Sequence, residues 1–407
     1  MSVLIKSIPD GWKIEKGGSK KSRKLSSGEL VNLLFDVLGE KLKWNNLTLE
    51  PEYENELLGN NIQDYFHIFL NQKGWIIGKV DAQDALICAA KQNSYNPVWE
   101  WLLKIEKAPN IYQVNIDSIA TDFLGTKDPL YDKMLKAFLI GAVSRAAERG
   151  CKFDNMLVLK GPQGIFKSSF FKALLPNPNW FCDTSEQNRK DLFMHLQTCF
   201  IYEHAELETL TTKKAVGEVK ALLSSSVDTF RPPYGRNVIK AGRPSVMVGT
   251  VNEDCFLSDT TGSRRFWVIP LPQTEDQKIE IQKVKEDREA IWKAAILAWR
   301  AGEKPYLTNK DQKESNNKNK LFVQENIFHE PLRAWTDRHS HEKFFTTDQA
   351  IIESGIKERS YIRIGDHKIA VSALKNLGYI QSERRINGIK ARWWSKTITN
   401  KEMSHVS

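Results

Sequence analysis

The sequence predicts an α/β protein: a mostly parallel sheet flanked by helices, with a small helix-rich domain before it and a separate helix-and-hairpin module after it. Three observations carry that expectation. Short apolar runs at 156–159, 199–202, 245–251 and 266–269 alternate with segments of helical periodicity. A glycine-containing loop, 161–168, lies between the first run and a helix-like segment. Near the carboxyl end, Asn387-Gly388 joins two alternating segments, the pattern of a tight hairpin. At about 150 residues per domain, 407 residues suggest two or three domains.

Along the chain, residues 1–25 read as a basic flexible arm: Lys13, Lys16, Lys20, Lys21, Arg23 and Lys24 oppose a single Glu15 among Gly and Ser. A solvated tail and a polyanion-binding arm fit it equally. Residues 26–107 read as a small α-rich domain, with Leu30, Leu33, Leu34, Val37 and Leu38 on one helical face and further helical stretches near 82–90 and 98–105. Asp128 and Pro129 open a helix whose apolar stripe runs from Leu130 to Val143, and Gly150 marks its exit. The strands of the core follow, with a helix at 213–224 between them and an amphipathic helix at 276–303. Residues 108–303 are thus the expected core domain, 304–327 a polar linker, and 328–407 a module whose helices and hairpin suggest a winged helix.

Composition excludes several classes. No apolar run approaches the roughly 18 residues of a membrane span. The amino terminus has no secretory core, so a cytoplasmic protein without a membrane partner is expected. Five scattered cysteines form no CxxC pair, which argues against a disulfide scaffold or a zinc ribbon. The net charge of +9 suits a polyanionic partner and equally suits mere solubility.

The chemistry concentrates at Gly161-Pro162-Gln163-Gly164-Ile165-Phe166-Lys167-Ser168, close to the phosphate-loop pattern GxxxxGK[ST], with Ser169 next in the helix. Small residues there expose backbone N–H groups to phosphate, Lys167 supplies an ammonium for the β- and γ-phosphates of ATP, and the Ser168 hydroxyl suits Mg²⁺. One residue departs: Phe166 stands where glycine is usual. A positive φ at that position costs a phenylalanine about 1–2 kcal/mol. Carboxylates for the metal and the attacking water are expected on a neighbouring strand, where Glu203 and Glu206 follow 199–202. Asn252, after the next strand, suits a γ-phosphate sensor, and Arg264 and Arg265 precede the last strand, placed to stabilise transition-state charge across a subunit boundary.

The ordered set GPQGIFKSSFF (161–171), IYEHAELE (201–208), VKALLSSSVDTFRPPYGR (219–236) and VGTVNEDCFLSDTTGSRRFW (248–267) resembles the virulence-associated E (VirE-type) proteins. These are P-loop ATPases of phages, plasmids and mobile islands, similar to superfamily 3 helicases. The resemblance covers about 90–270 and implies a P-loop NTPase core of the AAA+/superfamily 3 helicase-like kind. It further implies ATP hydrolysis with Mg²⁺ between subunits of a homo-oligomeric ring, a hexamer, that moves on DNA during replication. Lys167 and Ser168 then take the loop roles, Glu203 and Glu206 the metal and water roles, Asn252 the sensor role, and Arg264 or Arg265 the finger role.

Single- and double-stranded DNA are the expected partners, with a primase or other replication proteins on separate chains. Candidate contacts are Arg231, Tyr234, Arg236 and Lys240 in a basic, turn-rich segment that also holds Arg243, and Arg384, Arg385, Lys390 and Arg392 on the terminal hairpin beside Trp393 and Trp394. Two alternatives stay open on the residues alone. One is a non-enzymatic DNA-binding replication initiator with a degenerate loop, which Phe166 favours. The other is a small-molecule kinase, which needs neither the paired arginines nor the terminal module.

Overall fold

The computed structural model describes the chain apart from residues 1, 17, 185–188, 205–206, 208–212, 232–237, 253–256, 258–262, 275, 323–326, 340–343, 387–388 and 397–407. Two compact units divide it, Met1–Val323 and Gln324–Ser407. Among the described residues no helix is long and apolar enough to cross a membrane.

The first unit begins with a small core of its own. Leu30, Leu34 and Leu38, one helical turn apart on Ser27–Leu38, are buried with Phe66, Leu86 and Ala89. Ser26 caps that helix: its hydroxyl accepts from the Glu29 amide, and the Glu29 carboxylate accepts from the Ser26 amide at 2.9 Å. This domain is not purely α-rich, because a four-stranded sheet, including Leu42–Asn45 and Glu50–Tyr53, packs with the helices. Nor are residues 1–25 a free arm. Ser2–Ser7 is helical, and Leu4 and Ile8 bury in the same core. Of the basic residues that made the segment look mobile, Lys13, Lys20 and Lys21 lie on a short ribbon, and Arg23 and Lys24 form a strand paired with Trp75–Ile76.

The expected boundary at 107 falls too late. Helix α1 (Pro97–Lys107) buries Val98, Leu102 and Ile105 in the next core along the chain, because its apolar stripe faces the central layer. That layer is a five-stranded parallel sheet. Its strands are β1 (Met156–Lys160), β2 (Phe181–Cys182), β3 (Ile201–His204), β4 (Val246–Val251) and β5 (Phe266–Pro270), in spatial order β2-β3-β4-β1-β5. Its helices are α2 (Pro129–Ala147), α3 (Lys167–Ala173), α4 (Lys213–Ser224) and α5 (Ile281–Arg300).

Alternation along the strands explains why the sheet is covered on both faces. Leu157, Leu159, Val248 and Ile269 enter a core shared with α1, α2, α3 and α5, whereas Met156, Val158, Met247 and Val268 enter a second core with Val216, Val219 and Leu223 of α4.

Residues 309–320, read as linker, form helix α6 (Asn309–Asn319). The apolar pattern gave no warning, because this helix docks by polar contacts. Asp311 meets the Lys133 ammonium at 2.7 Å, Lys318 pairs with Asp128, and the Asn319 amide donates to the Phe266 carbonyl at 2.9 Å.

A hairpin, Val227–Phe230 with Ile239–Gly242, leaves the layer just before β4. Its base is bolted down. Arg243 gives the buried Asp228 carboxylate a two-pronged grip at 2.6 and 2.9 Å, Gln197 adds a third bond, and Gly150 approaches Gly242 too closely for any side chain. Arg243 is therefore a core residue and not part of a basic surface.

In the second unit His329–Arg338, Thr347–Glu353 and Ile364–Asn376 pack around Trp335 and Trp394, and Tyr379–Ile386 pairs antiparallel with Ile389–Lys396. Trp394 lies in the core, its indole N–H donating to the Thr347 hydroxyl at 2.9 Å.

Two outcomes follow from these contacts. Asp228→Ala strands the Arg243 guanidinium in the interior and should lower stability by about 3–5 kcal/mol, read by urea unfolding. Asp311 is held below the ordinary carboxylate range: burial pushes it up, but the Lys133 ammonium and the Thr308 hydroxyl outweigh that. A depressed carboxylate stabilises fully above its unfolded pKa of about 4 and loses that contribution as pH falls through its lower folded value. Protection factors along α6, corrected for the intrinsic pH dependence of amide exchange, should therefore fall in acid, and Asp311→Asn should lower them at neutral pH.

Candidate functional site

The carboxyl ends of β1, β3 and β4 converge. Lys160 of β1 lies beside Val251 of β4, and Glu203 of β3 lies beside Val248. The chain leaves β1 into the loop 161–166 and returns through α3. The Gly161 amide donates to the Val251 carbonyl at 3.1 Å, and the buried Ile165 holds the loop's far side through its carbonyl, bonded to the Ile279 amide. Pro162, Gln163 and Gly164 are exposed between these anchors, and Ser169 is half-buried in the first turn of α3.

Two loop residues adopt the left-handed conformation, Gly164 (φ 81°) and Phe166 (φ 70°). Glycine is free there; phenylalanine pays the steric penalty. The ring of Phe166 stays about half exposed, with the Lys278 ammonium 5.0 Å from its centroid. The loop thus takes the required backbone shape without its glycine.

Lys167 is buried to 7% exposure, and its ammonium donates to the Gly161 carbonyl (2.7 Å), the Pro162 carbonyl (2.6 Å) and the Asn252 amide oxygen (2.8 Å). Asn252 directly follows β4, so strand pairing sets this distance. Ser168 donates its hydroxyl to Glu203 at 2.7 Å, and Thr250, inside β4, donates to the same oxygen at 2.7 Å. The second carboxylate oxygen of Glu203 is buried and has no hydrogen-bond partner among the described residues. An acceptor left bare in the interior costs about 1–3 kcal/mol or more. A divalent cation relieves it, and Ser168 with Glu203 offers the oxygen donors Mg²⁺ prefers. Among the described residues no group of three or more His, Cys, Asp or Glu gathers to hold a metal.

Lys167, Ser168, Glu203 and Asn252 are therefore brought together. Thr250 was missed: a hydroxyl inside a run of valines reads as strand, and only the register against Glu203 reveals its use. Glu206 lies outside the described residues.

Arg264 and Arg265 do not join this group. They sit in a turn before β5, whose first residue pairs with Met156 at the start of β1, so a full strand length of about 16 Å separates them from the loop. The two differ. Arg265 donates to the Ser224 hydroxyl at 2.9 Å and is half-buried, whereas Arg264 is exposed.

Of the expected DNA contacts, Arg231 and Lys240 are exposed on the Val227–Gly242 hairpin, and Arg236 and Tyr234 lie outside the described residues. On the terminal hairpin Arg384, Arg385, Lys390 and Arg392 are all exposed. Register places Arg385 opposite Lys390 and Glu383 opposite Arg392, on the face of Trp394; Arg384 points the other way, over the Phe344 ring. Lys390 pairs with Glu383 at 3.1 Å.

The model of the virulence-associated protein E-like domain matches residues 105–324, more than half of the chain. The chain belongs to the virulence-associated protein E-like family. The matched span holds α2, the whole sheet, the loop, the paired arginines and α6, so every member of the site lies within this virulence-associated protein E-like domain. Solved structures similar to the chain include the apo NrS-1 C-terminal region (305-718), at 12% identity and a TM-score of 0.39, and an A form of that region, at 12% and 0.41. Each alignment covers 72% of this chain and 78% of the other. A comparison with curated proteins finds no match.

The left-handed backbone at Phe166 reverses a usual rule. Glycine ordinarily destabilises relative to alanine by about 0.5–1 kcal/mol. At position 166 Phe166→Gly should instead be more stable than Phe166→Ala, by up to about 1 kcal/mol, in parallel denaturation curves.

Proposed function

We propose that the chain is an ATP-dependent DNA helicase or translocase serving replication of a phage, plasmid or mobile genetic element, with ATP hydrolysed between subunits of a ring. The observation that carries this reading is the single cluster in which Lys167, Ser168, Glu203 and Asn252 meet at the strand ends. Four polar side chains from three segments converge there beside an exposed loop that holds two left-handed residues, Gly164 and Phe166, an arrangement suited to a triphosphate.

The residues divide the work. The Lys167 ammonium, now bonded to three neutral oxygens, exchanges them for phosphate oxygens, a stronger charge-assisted partner. Asn252, whose amide oxygen that move releases from Lys167, lies where it can contact the terminal phosphate or the water beside it. Ser168 and Glu203 would hold Mg²⁺, which would supply neutralisation of phosphate charge. Thr250 keeps the Glu203 carboxylate turned toward Ser168. Glu206 is assigned to water activation by the family resemblance.

Transition-state charge still needs a cation, and the exposed Arg264 cannot supply it to its own loop from the opposite end of the sheet. A neighbouring copy can, which supports a homo-oligomeric ring. The Val227–Gly242 hairpin, through Arg231, Arg236 and Lys240, is the proposed contact for the translocated strand. The terminal helices and hairpin form the proposed winged helix, whose Arg384, Arg385, Lys390 and Arg392 meet duplex phosphates. A second reading, a replication initiator that binds nucleotide without turnover, draws on Phe166 alone, and the loop geometry weakens it.

ATP hydrolysis with and without single-stranded DNA tests the proposal. Lys167→Ala and Arg264→Ala should each abolish DNA-stimulated turnover. Mixing the two inactive proteins should restore part of it, because some interfaces then combine an intact Lys167 with an intact Arg264. Wild-type turnover no higher than that of Lys167→Ala would leave only the initiator reading, and failure of the mixture to recover would remove the shared site.

A further inference from the structure

We propose that the amino-terminal ribbon, Lys13–Ile14 paired with Lys20–Lys21 and turning through Lys16, is a docking surface for the phosphate backbone of duplex DNA. The inference rests on the reading of the chain as a DNA-acting protein, but it concerns residues other than those of the site and of the two hairpins described above.

The ribbon is mounted firmly. The Gly11 amide donates to the Lys73 carbonyl at 2.8 Å, the Trp75 indole donates to the Pro9 carbonyl at 2.8 Å, and the Leu25 amide donates to the Ile76 carbonyl at 3.0 Å on the way out. Gly11 lies against the Trp75 ring and Gly74 against the Trp12 ring, each with no room for a side chain. A segment that needed only to stay soluble would not require such anchoring.

Its charge is unbalanced. Register sets Lys13 directly opposite Lys21 and Ile14 opposite Lys20, and both strands are fully exposed. Like charges facing one another across a strand pair destabilise it. Glu15 reaches Lys21 at 3.3 Å, an exposed pair worth little, and Glu29 takes Arg23 at 3.4 Å. Among the described residues Lys13, Lys16, Lys20 and Lys24 meet no carboxylate. Lysines do guard exposed strand edges against unwanted pairing. That role needs one or two cations, not six between residues 13 and 24. A row of phosphates removes the repulsion at once.

Shape favours the duplex. A two-stranded ribbon fits the major groove. Single strands are gripped mainly by stacking on exposed aromatic rings. The ribbon has none: Trp12 is half-buried against Gly74, and Ile14 is its one exposed apolar side chain.

The test uses the full chain and its Lys13→Gln/Lys20→Gln/Lys21→Gln variant, titrated against a labelled mixed-sequence duplex and the matching single strand, from about 50 to about 200 mM salt. With three phosphate contacts removed, duplex affinity at the lowest salt should fall by about tenfold or more, and the slope of log affinity against log salt should become shallower by about two to three. The Lys13→Arg/Lys20→Arg/Lys21→Arg variant should bind as wild type. ATP hydrolysis without DNA should be unchanged in both.

Unchanged duplex affinity and slope would overturn the proposal. So would a loss confined to the single strand, or an equal loss in the arginine variant. If wild type binds duplex and hydrolyses ATP while the glutamine variant behaves identically, only the ribbon assignment fails. If wild type binds no DNA at all, the DNA-acting reading fails with it.

Discussion

The placement of β1 between β4 and β5 is the constraint on which the molecule turns. Parallel pairing on both sides forces the loop after β1 to emerge beside the end of β4, and β3 is pinned to the far edge of β4. Lys167, Asn252, Thr250 and Glu203 come from three segments separated by many residues; strand ladders place Glu203, Thr250 and the backbone leading into Asn252, and the Lys167 side chain reaches across from α3. The same pairing carries the paired arginines to the opposite end of the sheet. One register thus gathers these four side chains at one end of the sheet and leaves Arg264 and Arg265 at the other.

Much of this was legible. Continuous apolar runs announced buried parallel strands, and the Gly161–Ser168 pattern announced the loop, because both signals are local. Asn252 and Glu203 were legible as strand-end residues. Their bonds were not, since these depend on which strands are neighbours. Thr250 stayed hidden for that reason. Helix α6 was misread for another: it buries Asp311, Ser315 and Asn319, so the pattern that marks a docked helix was absent. Arg243 misled through composition, because a guanidinium in a turn-rich basic stretch reads as surface until its buried carboxylate partner is placed.

Phe166 shows how a motif departure is absorbed. Sequence rules assign glycine to the left-handed position because it is cheap there, not because nothing else fits. Here the ring turns outward beneath Lys278, and Ile165 anchors the loop to Ile279 immediately upstream. The strain is met by surrounding packing, and the backbone geometry survives the substitution. The hairpin ahead of β4 follows a similar logic: a stiff base built from Asp228, Arg243 and Gln197 supports an exposed outer part with cationic side chains.

Helix α6 has one more property worth drawing out. A segment seated by apolar burial exposes a sticky face whenever it lifts off. This one, with Lys, Asp and Asn along most of its length, would show water nothing it would avoid if it lifted off, so its own surface adds no aggregation hazard. Its last residue holds the Phe266 carbonyl, next to the paired arginines, so the same polar segment steadies their turn.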